Sequence, residues 1–298
     1  MELGDYIMTT TLLGSGTFGS VYLGRKKNNP SHEVAIKEFK KESAFLEELT
    51  IAEAMAGPRD CTPYFVCFEK AYKRGGKYYI VYKKAWGNLD EWMHKKEGDG
   101  YSKPLNARNK FDQKYMNNVT DKERFKFITS MLTALAELHN NGISHRDIKP
   151  DNILVYKDGD EWEFTLGDLG SLCIDPSKKG KYNISSAYQC KVPSINRTTL
   201  WYIPNTMKRR QIDYFTNVNY ETMDENFLVD ISAMGCVLYT FLTGMTSCHP
   251  SANFVKLYYP NDIVYGDKII KKETISKLIN NMIKADSFDK FKKSPCSI

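Results

Sequence analysis

His145-Arg146-Asp147-Ile148-Lys149-Pro150-Asp151-Asn152, followed at once by the apolar Ile153-Leu154-Val155, decides how the rest of the chain is read. Within eight residues it offers a carboxylate at Asp147, an ammonium two positions on at Lys149 and a carboxamide five positions on at Asn152. Such a loop can hold a hydroxyl nucleophile, a transferring phosphate and a metal ion together. A plain turn rich in Asp, Asn and Pro is the alternative, and the length of the string weighs against it. Downstream, Asp168-Leu169-Gly170 directly follows the strand-like Phe164-Thr165-Leu166. A carboxylate between a strand and a glycine suits a metal ligand whose backbone turns sharply.

Upstream lies Leu13-Gly14-Ser15-Gly16-Thr17-Phe18-Gly19-Ser20-Val21. Glycines in this spacing are a weak sign alone, shared by dinucleotide folds, phosphate loops and ordinary turns. A dinucleotide fingerprint opens a helix and is followed by an acid about 20 residues on. Here Val21-Tyr22-Leu23 continues as strand, so the glycines fall at a hairpin tip, where backbone amides can approach phosphate oxygens. Val34-Ala35-Ile36-Lys37 places Ala35 and Lys37 on one sheet face and Val34 and Ile36 on the other. A lysine projecting beneath that hairpin can clamp phosphates; a solvated edge-strand lysine is the alternative.

Taken in order, the glycine loop, V-A-I-K, H-R-D-x-K-x-x-N and D-L-G resemble the eukaryotic-type protein kinases. Thr198-Thr199-Leu200-Trp201-Tyr202-Ile203-Pro204 resembles the end of a kinase activation segment, and Asp230 to Gly244 is similar to the central helix of the large lobe. The likeness covers roughly Leu12 to Gly244. Lys149, two after Asp147, and Thr198, six before Pro204, resemble the serine/threonine branch. Compact length and divergent ends are similar to kinases of large cytoplasmic DNA viruses, which implies host cytoplasm and virion.

The resemblance implies an α+β, bilobal fold. A single kinase domain over 1–298 is expected, with a β-rich N-terminal lobe over 1–84 and a mostly helical lobe over 85–298. The activation segment would run over 168–204. It implies a non-specific serine/threonine protein kinase that uses ATP and Mg²⁺ on protein substrates with Ser or Thr acceptors. Asp147 would orient or accept the proton of the substrate hydroxyl. Lys149 would neutralise charge on the γ-phosphoryl, and Asn152 and Asp168 would hold Mg²⁺. Leu13, Gly14, Ser15, Gly16, Thr17, Phe18, Gly19, Val21, Ala35, Ala85 and Leu154 would line the nucleotide site, with Lys37 on the α- and β-phosphates. Lys37 would pair with a helix glutamate. Glu53 is the first choice and Glu48 the second, because the family's gap from that lysine is usually longer than the 11 residues to Glu48. Tyr82 would guard the back of the nucleotide pocket, with plain core packing as the alternative, and Lys83 to Ala85 would offer backbone groups to adenine. Asn88 or Asp90 would touch ribose.

Several positions depart from the family pattern. Ile203-Pro204-Asn205 replaces Ala-Pro-Glu, and only 54 residues follow Gly244, so the far end of the large lobe is expected to be trimmed or rearranged. Leu169 replaces the usual Phe. Arg146 has two readings: a phosphate receptor for Ser185, Ser186, Tyr188, Ser194, Thr198 or Thr199, or a part of a constitutively active enzyme. The basic groups Lys178-Lys179-Gly180-Lys181 and Lys208-Arg209-Arg210 read as a solvated surface before they read as a substrate-selecting patch.

Around these motifs, Tyr22–Gly24, His32–Phe39, Tyr64–Tyr72 and Tyr78–Ala85 read as strands and Ser43–Ala56 as a helix stopped by Gly57-Pro58. Thr120 to Glu123 forms a capping-box signature ahead of Ile128, Met131, Leu132, Leu135 and Leu138. Asp230–Thr243 and Ile269–Ile283 read as further helices, and Glu97–Val119 as an exposed polar insert. The 298 residues are 42 % apolar and 26 % charged, an ordinary globular composition. No apolar run approaches the ~18 residues of a membrane span, and Met1–Thr10 carries two acids, so neither a membrane partner nor a leader is expected. The net charge of +6 spread over this length gives no nucleic-acid footprint, and a monomer is expected. Seven cysteines without a C-x-x-C pair make a disulfide framework and a structural zinc site unexpected and point to a reducing, intracellular setting. A binding module that keeps the fold without turnover is the alternative function; the presence of Lys37, Asp147, Asn152 and Asp168 weighs against it.

Overall fold

The computed structural model describes residues 1–16, 19–56, 62–96, 113–175, 177, 194–197, 217–220, 222–244, 259 and 261–285. The β-branched and aromatic runs of the first third build a six-stranded antiparallel sheet. It comprises β1 (Glu2–Leu3), β2 (Tyr6–Ser15), β3 (Gly19–Lys26), β4 (Asn29–Phe39), β5 (Phe68–Arg74) and β6 (Lys77–Lys83), in the spatial order β1-β2-β3-β4-β6-β5. Its outer face carries a small core of Leu3, Tyr6, Val34, Ile36, Tyr79 and Val81. The alternation read from V-A-I-K therefore holds, since Ala35 and Lys37 lie on the opposite face. Helix α1 (Glu42–Ala56) packs there through Phe45, Ile51, Ala52 and Met55, all buried.

The larger half follows. It contains β7 (Gly87–Asn88), α2 (Leu89–Lys96), α3 (Gln113–Asn118), α4 (Asp121–Asn140), β8 (Ile143–Ser144), β9 (Ile153–Asp158), β10 (Glu161–Leu166) and β11 (Cys173–Ile174). Then come β12 (Ser194–Arg197), β13 (Asn217–Tyr220), α5 (Met223–Thr243), β14 (Ile263–Tyr265), β15 (Lys268–Ile270) and α6 (Lys272–Ile283). At the start of α4 the Thr120 hydroxyl accepts from the Glu123 amide and the Glu123 carboxylate accepts from the Thr120 amide, as the capping-box signature requires. A second capping box, Thr222 with Glu225, opens α5, and Gly244 ends it at φ +68°. Every residue of α5 from Asn226 to Thr243 is buried. By length and composition α5 is apolar enough to cross a membrane, yet beyond its first turn it lies inside this fold, as a central core helix does. Phe241 on α5 stacks on Phe127 and Trp92, and Phe164 meets all three edge-on, so one aromatic cluster joins α2, α4, α5 and β10.

Four expectations are corrected. The strand expected from Tyr64 begins only at Phe68, because Phe65 and Val66 bridge across to Leu166 instead. Ile269 and Ile270 belong to the β14–β15 hairpin, and α6 starts at Lys272. Residues 113–119 of the expected exposed polar insert are not all exposed: 113–118 form α3, Tyr115, Met116 and the following Val119 are buried, and the Tyr115 hydroxyl donates to the Phe241 carbonyl at 2.7 Å. Residues 97–112 lie outside the described residues. Cys67 and Cys173 each belong to a disulfide, against the expectation drawn from cysteine spacing, which does not say which sulfurs meet in space. Cys236 is a buried free thiol. After Gly244, the described residues hold one hairpin and one helix.

Candidate active site

Three strands carry the upper wall. Val21 pairs with Lys37 across β3–β4, and Ala35 pairs with Tyr82 across β4–β6, which puts the four side chains on the face turned toward α1 and the helical lobe. The Gly16 amide donates to the Gly19 carbonyl at 2.8 Å and closes the hairpin tip. A Cβ on Gly14 or Gly16 would meet nothing within 4 Å, whereas on Gly19 it would stand 2.1 Å from the Glu38 carbonyl oxygen. The first two glycines thus leave the loop's backbone accessible, and the third is needed for close packing on β4. Leu13 and Ser15 lie exposed on the same loop, and Thr17 and Phe18 lie outside the described residues.

Lys37 extends from β4 into the space between the lobes. Its ammonium donates to Glu48 Oε2 at 2.6 Å and to Asp168 Oδ1 at 3.4 Å, and only 12 % of its side chain is exposed. Burial works against the ammonium, but the two carboxylates together hold its pKa above the usual lysine value. Burial pushes Glu48 upward against the pull of Lys37, and burial likewise opposes Asp168, which Lys37 and the charges of His145 and Lys149 bring to the low side.

The lysine's partner is Glu48, which corrects the preference for Glu53. The buried residues of α1 recur at 45, 48, 51, 52 and 55, and Glu53 falls outside that stripe and is exposed. Only Lys40 and Lys41 separate β4 from α1, so the helix starts early and the first glutamate on its inner face is already in reach. The apolar phase of α1 was legible in the sequence and would have selected Glu48.

The lower wall is the turn after β8. Asp147 Oδ2 accepts from Lys149 Nζ at 2.8 Å and from Asn152 Nδ2 at 2.9 Å, and Asn152 Nδ2 also donates to the Asp147 carbonyl at 2.8 Å. A carboxamide whose nitrogen is committed in this way turns its oxygen the other way. Asp168 follows β10 at φ +52°, and Arg146 stands at φ +67°. Among the described residues these are the two non-glycine positions with positive φ, and both belong to this site. Each such backbone costs on the order of 1–3 kcal/mol and persists only where its surroundings hold it. At Arg146 the support is Asp230 of α5: its carboxylate accepts the amides of His145 and Arg146, each at 2.7 Å, and meets His139 Nε2 at 3.0 Å. Burial raises the Asp230 pKa, but the His139 hydrogen bond and neighbouring donors outweigh it and leave the group below the ordinary aspartate value. Arg146 Nε and Nη2 donate to the carbonyls of Ser171 and Leu172.

Leu154 on β9 pairs with Asn88 and lies under Gly167, whose amide donates to the Asn152 carbonyl. Ala85 sits in the link between β6 and β7, where the Trp86 amide donates to the Val155 carbonyl. The Asn88 side chain caps α2 by accepting from the Glu91 amide, and Asp90 lies 3.4 Å from His94 Nδ1. The residues expected at 178–193 and 198–216, including Ile203, Pro204 and Asn205, lie outside the described residues. Two functional groups went unread in the sequence, the Asp230 carboxylate and the Tyr82 hydroxyl. The signal for the first is an acid in an otherwise apolar helix, which a buried segment tolerates only when it has donors to satisfy.

A β-sheet lobe and a helical lobe thus bring a lysine, two aspartates and an asparagine to one cleft. The family model for the protein kinase domain matches residues 7–291, and the chain belongs to that family. It is 26 % identical to CBL-interacting protein kinase 25 of Oryza sativa subsp. japonica over 83 % of this chain and 41 % of the relative. It is 29 % identical to serine/threonine-protein kinase dkf-1 of Caenorhabditis elegans, over 80 % and 28 % of the two lengths. With Aurora/IPL1-related protein kinase 2 of the same nematode the identity is 28 %, over 85 % and 71 %. The chain therefore spans less than half the length of the first two of these relatives.

Proposed function

We propose that this chain transfers the γ-phosphoryl group of ATP to serine and threonine hydroxyls of protein substrates. The observation that carries the proposal is Lys37 Nζ reaching Glu48 on one lobe and Asp168 on the other, in the same cleft as Asp147, Lys149 and Asn152. The names of the matched relatives support the serine/threonine choice. In this reading the chain is one kinase domain, with its lobes meeting near residue 84 and its activation segment running over 168–204.

A divalent ion fits the donors present. Asp168 supplies a carboxylate and Asn152 a carboxamide oxygen, both hard ligands, and no group of three or more His, Cys, Asp or Glu side chains among the described residues forms a separate metal cage. One or two protein oxygens completed by substrate phosphates is how Mg²⁺ is ordinarily held. When bound, the ion neutralises phosphate charge as it develops during transfer. The protein does the rest by position. Lys37 holds the α- and β-phosphates under the glycine hairpin. Asp147, oriented by Lys149 and Asn152, takes the proton from the acceptor hydroxyl as its oxygen bonds to the γ-phosphorus and the bond to the β,γ-bridging oxygen breaks. Lys149 faces the transferring group and offsets its charge. An intracellular site is part of the proposal, since the reaction consumes a nucleoside triphosphate.

Transfer of labelled γ-phosphate to casein or histone, run beside Asp147→Asn and Lys37→Met, tests the reading. Loss of the base is expected to lower turnover by about 10²–10⁴-fold while leaving nucleotide binding in place. Equal transfer by all three proteins, or ATP binding without transfer by the wild type, would overturn it.

A further inference from the structure

Tyr82 does more than close the back of the cleft. Its hydroxyl donates to Glu48 Oε1 at 2.8 Å while Lys37 donates to Oε2 at 2.6 Å, so the two oxygens of one buried carboxylate are divided between a neutral and a charged donor. The Glu48 side chain is 3 % exposed and Tyr82 as a residue 7 %, so water does not readily substitute for either donor. The tyrosine is fixed on the other side as well: it pairs with Ala35 on β4 and with Phe68 on β5, in the interior of the sheet. Glu48 belongs to α1, which meets the sheet elsewhere through buried apolar side chains and, at its exposed first residue, through the Glu42–Lys73 ion pair at 2.6 Å. We infer that the Tyr82 hydroxyl is a positioning group that ties α1 to β6 and orients Glu48 so that it presents Oε2 to Lys37.

The physical reason is the number of donors. A buried carboxylate with one charged donor can rotate about its last torsion and still satisfy that donor. A second donor on a rigid strand removes the freedom and sets the direction in which Lys37 is pulled. Phenylalanine at the same place would keep the ring and its packing and leave Oε1 buried without a partner, a cost that is larger for a charged acceptor than for a neutral one. Hydroxyl and ring thus have separable roles, and Tyr82→Phe separates them.

The inference rests on the proposed phosphotransfer only for its kinetic arm, so hydrogen exchange over α1 is measured alongside. Tyr82→Phe is expected to lower kcat/KM for ATP at least tenfold and to speed amide exchange over Phe45–Ala52, with exchange in β3 and β4 unchanged. Against a Glu48→Ala background, adding Tyr82→Phe is expected to change neither quantity further, because the acceptor is already gone. A purely structural ring would leave Tyr82→Phe equal to wild type in both measurements, and that result overturns the inference. So does an effect of equal size in the Glu48→Ala background. If the wild type transfers no phosphate, the kinase reading fails and the exchange arm alone decides whether the hydroxyl holds α1.

Discussion

Removing the Glu48 carboxylate tests the pairing at the centre of the cleft. In Glu48→Ala the Lys37 ammonium, 12 % exposed, loses a partner at 2.6 Å and, among the charged groups of the described residues, keeps Asp168 at 3.4 Å. Breaking a buried ion pair from one side ordinarily costs about 3–5 kcal/mol, because the remaining charge stays desolvated. Asp168 still offsets part of that charge, which argues for the lower end, ~3 kcal/mol. If the loss falls on the folded state, the melting temperature drops by roughly 6–12 °C, at about 2–4 °C per kcal/mol for a chain of this size. Any share that falls on the placement of Lys37 lowers kcat/KM for ATP tenfold per ~1.4 kcal/mol, up to about 10²-fold. Calorimetry and γ-phosphate transfer on the same protein divide the loss between the two. Glu53→Ala is the control: the residue is exposed, so a change within about 0.5 kcal/mol is expected. Damage from Glu53→Ala equal to that from Glu48→Ala, or wild-type melting and turnover in Glu48→Ala, would refute the reasoning.

Other outcomes follow from the same geometry. Asp230 has a folded-state pKa below its ordinary value of 3.8. Its stabilisation is therefore complete above that pH and fades as pH falls through the folded value. Melting followed from about pH 6 to about pH 3 should show this acid limb, and Asp230→Asn should start less stable and lose that part of the slope. Gly19→Ala drives a Cβ to 2.1 Å from the Glu38 carbonyl oxygen and should cost about 1–3 kcal/mol, measurable in a urea melt, while Gly16→Ala meets open space and should leave the midpoint in place. Arg146 already donates to the Ser171 and Leu172 carbonyls, so protein treated with phosphatase should keep most of its transfer activity; a loss beyond tenfold would show that a phosphate organises the segment.

Much of the site was legible because its chemistry is local. Asp147, Lys149 and Asn152 sit within six residues, and the hydrogen bonds that join them are formed inside one turn. The strand alternation of Val34 to Lys37 and the capping box at Thr120 are also short-range, and both are present as read. The Glu48 pairing was legible in principle, from the phase of the apolar stripe on α1, but a family-typical gap to Lys37 pointed to the wrong turn of the helix. The short link after β4 explains the difference.

The sequence by itself determined which side chains the cleft is built from and in what order along the chain, since residue type and spacing set hairpins, helix faces and tight turns without reference to distant neighbours. Only the tertiary structure decided that Asp230 supports the strained backbone at Arg146 and that the Tyr82 hydroxyl shares Glu48. Those partners lie 84 and 34 residues apart. No periodicity reaches across such gaps; they close because burying the apolar faces of α1, β6 and α5 brings them together, and a charge trapped there must take whichever donors the packing delivers.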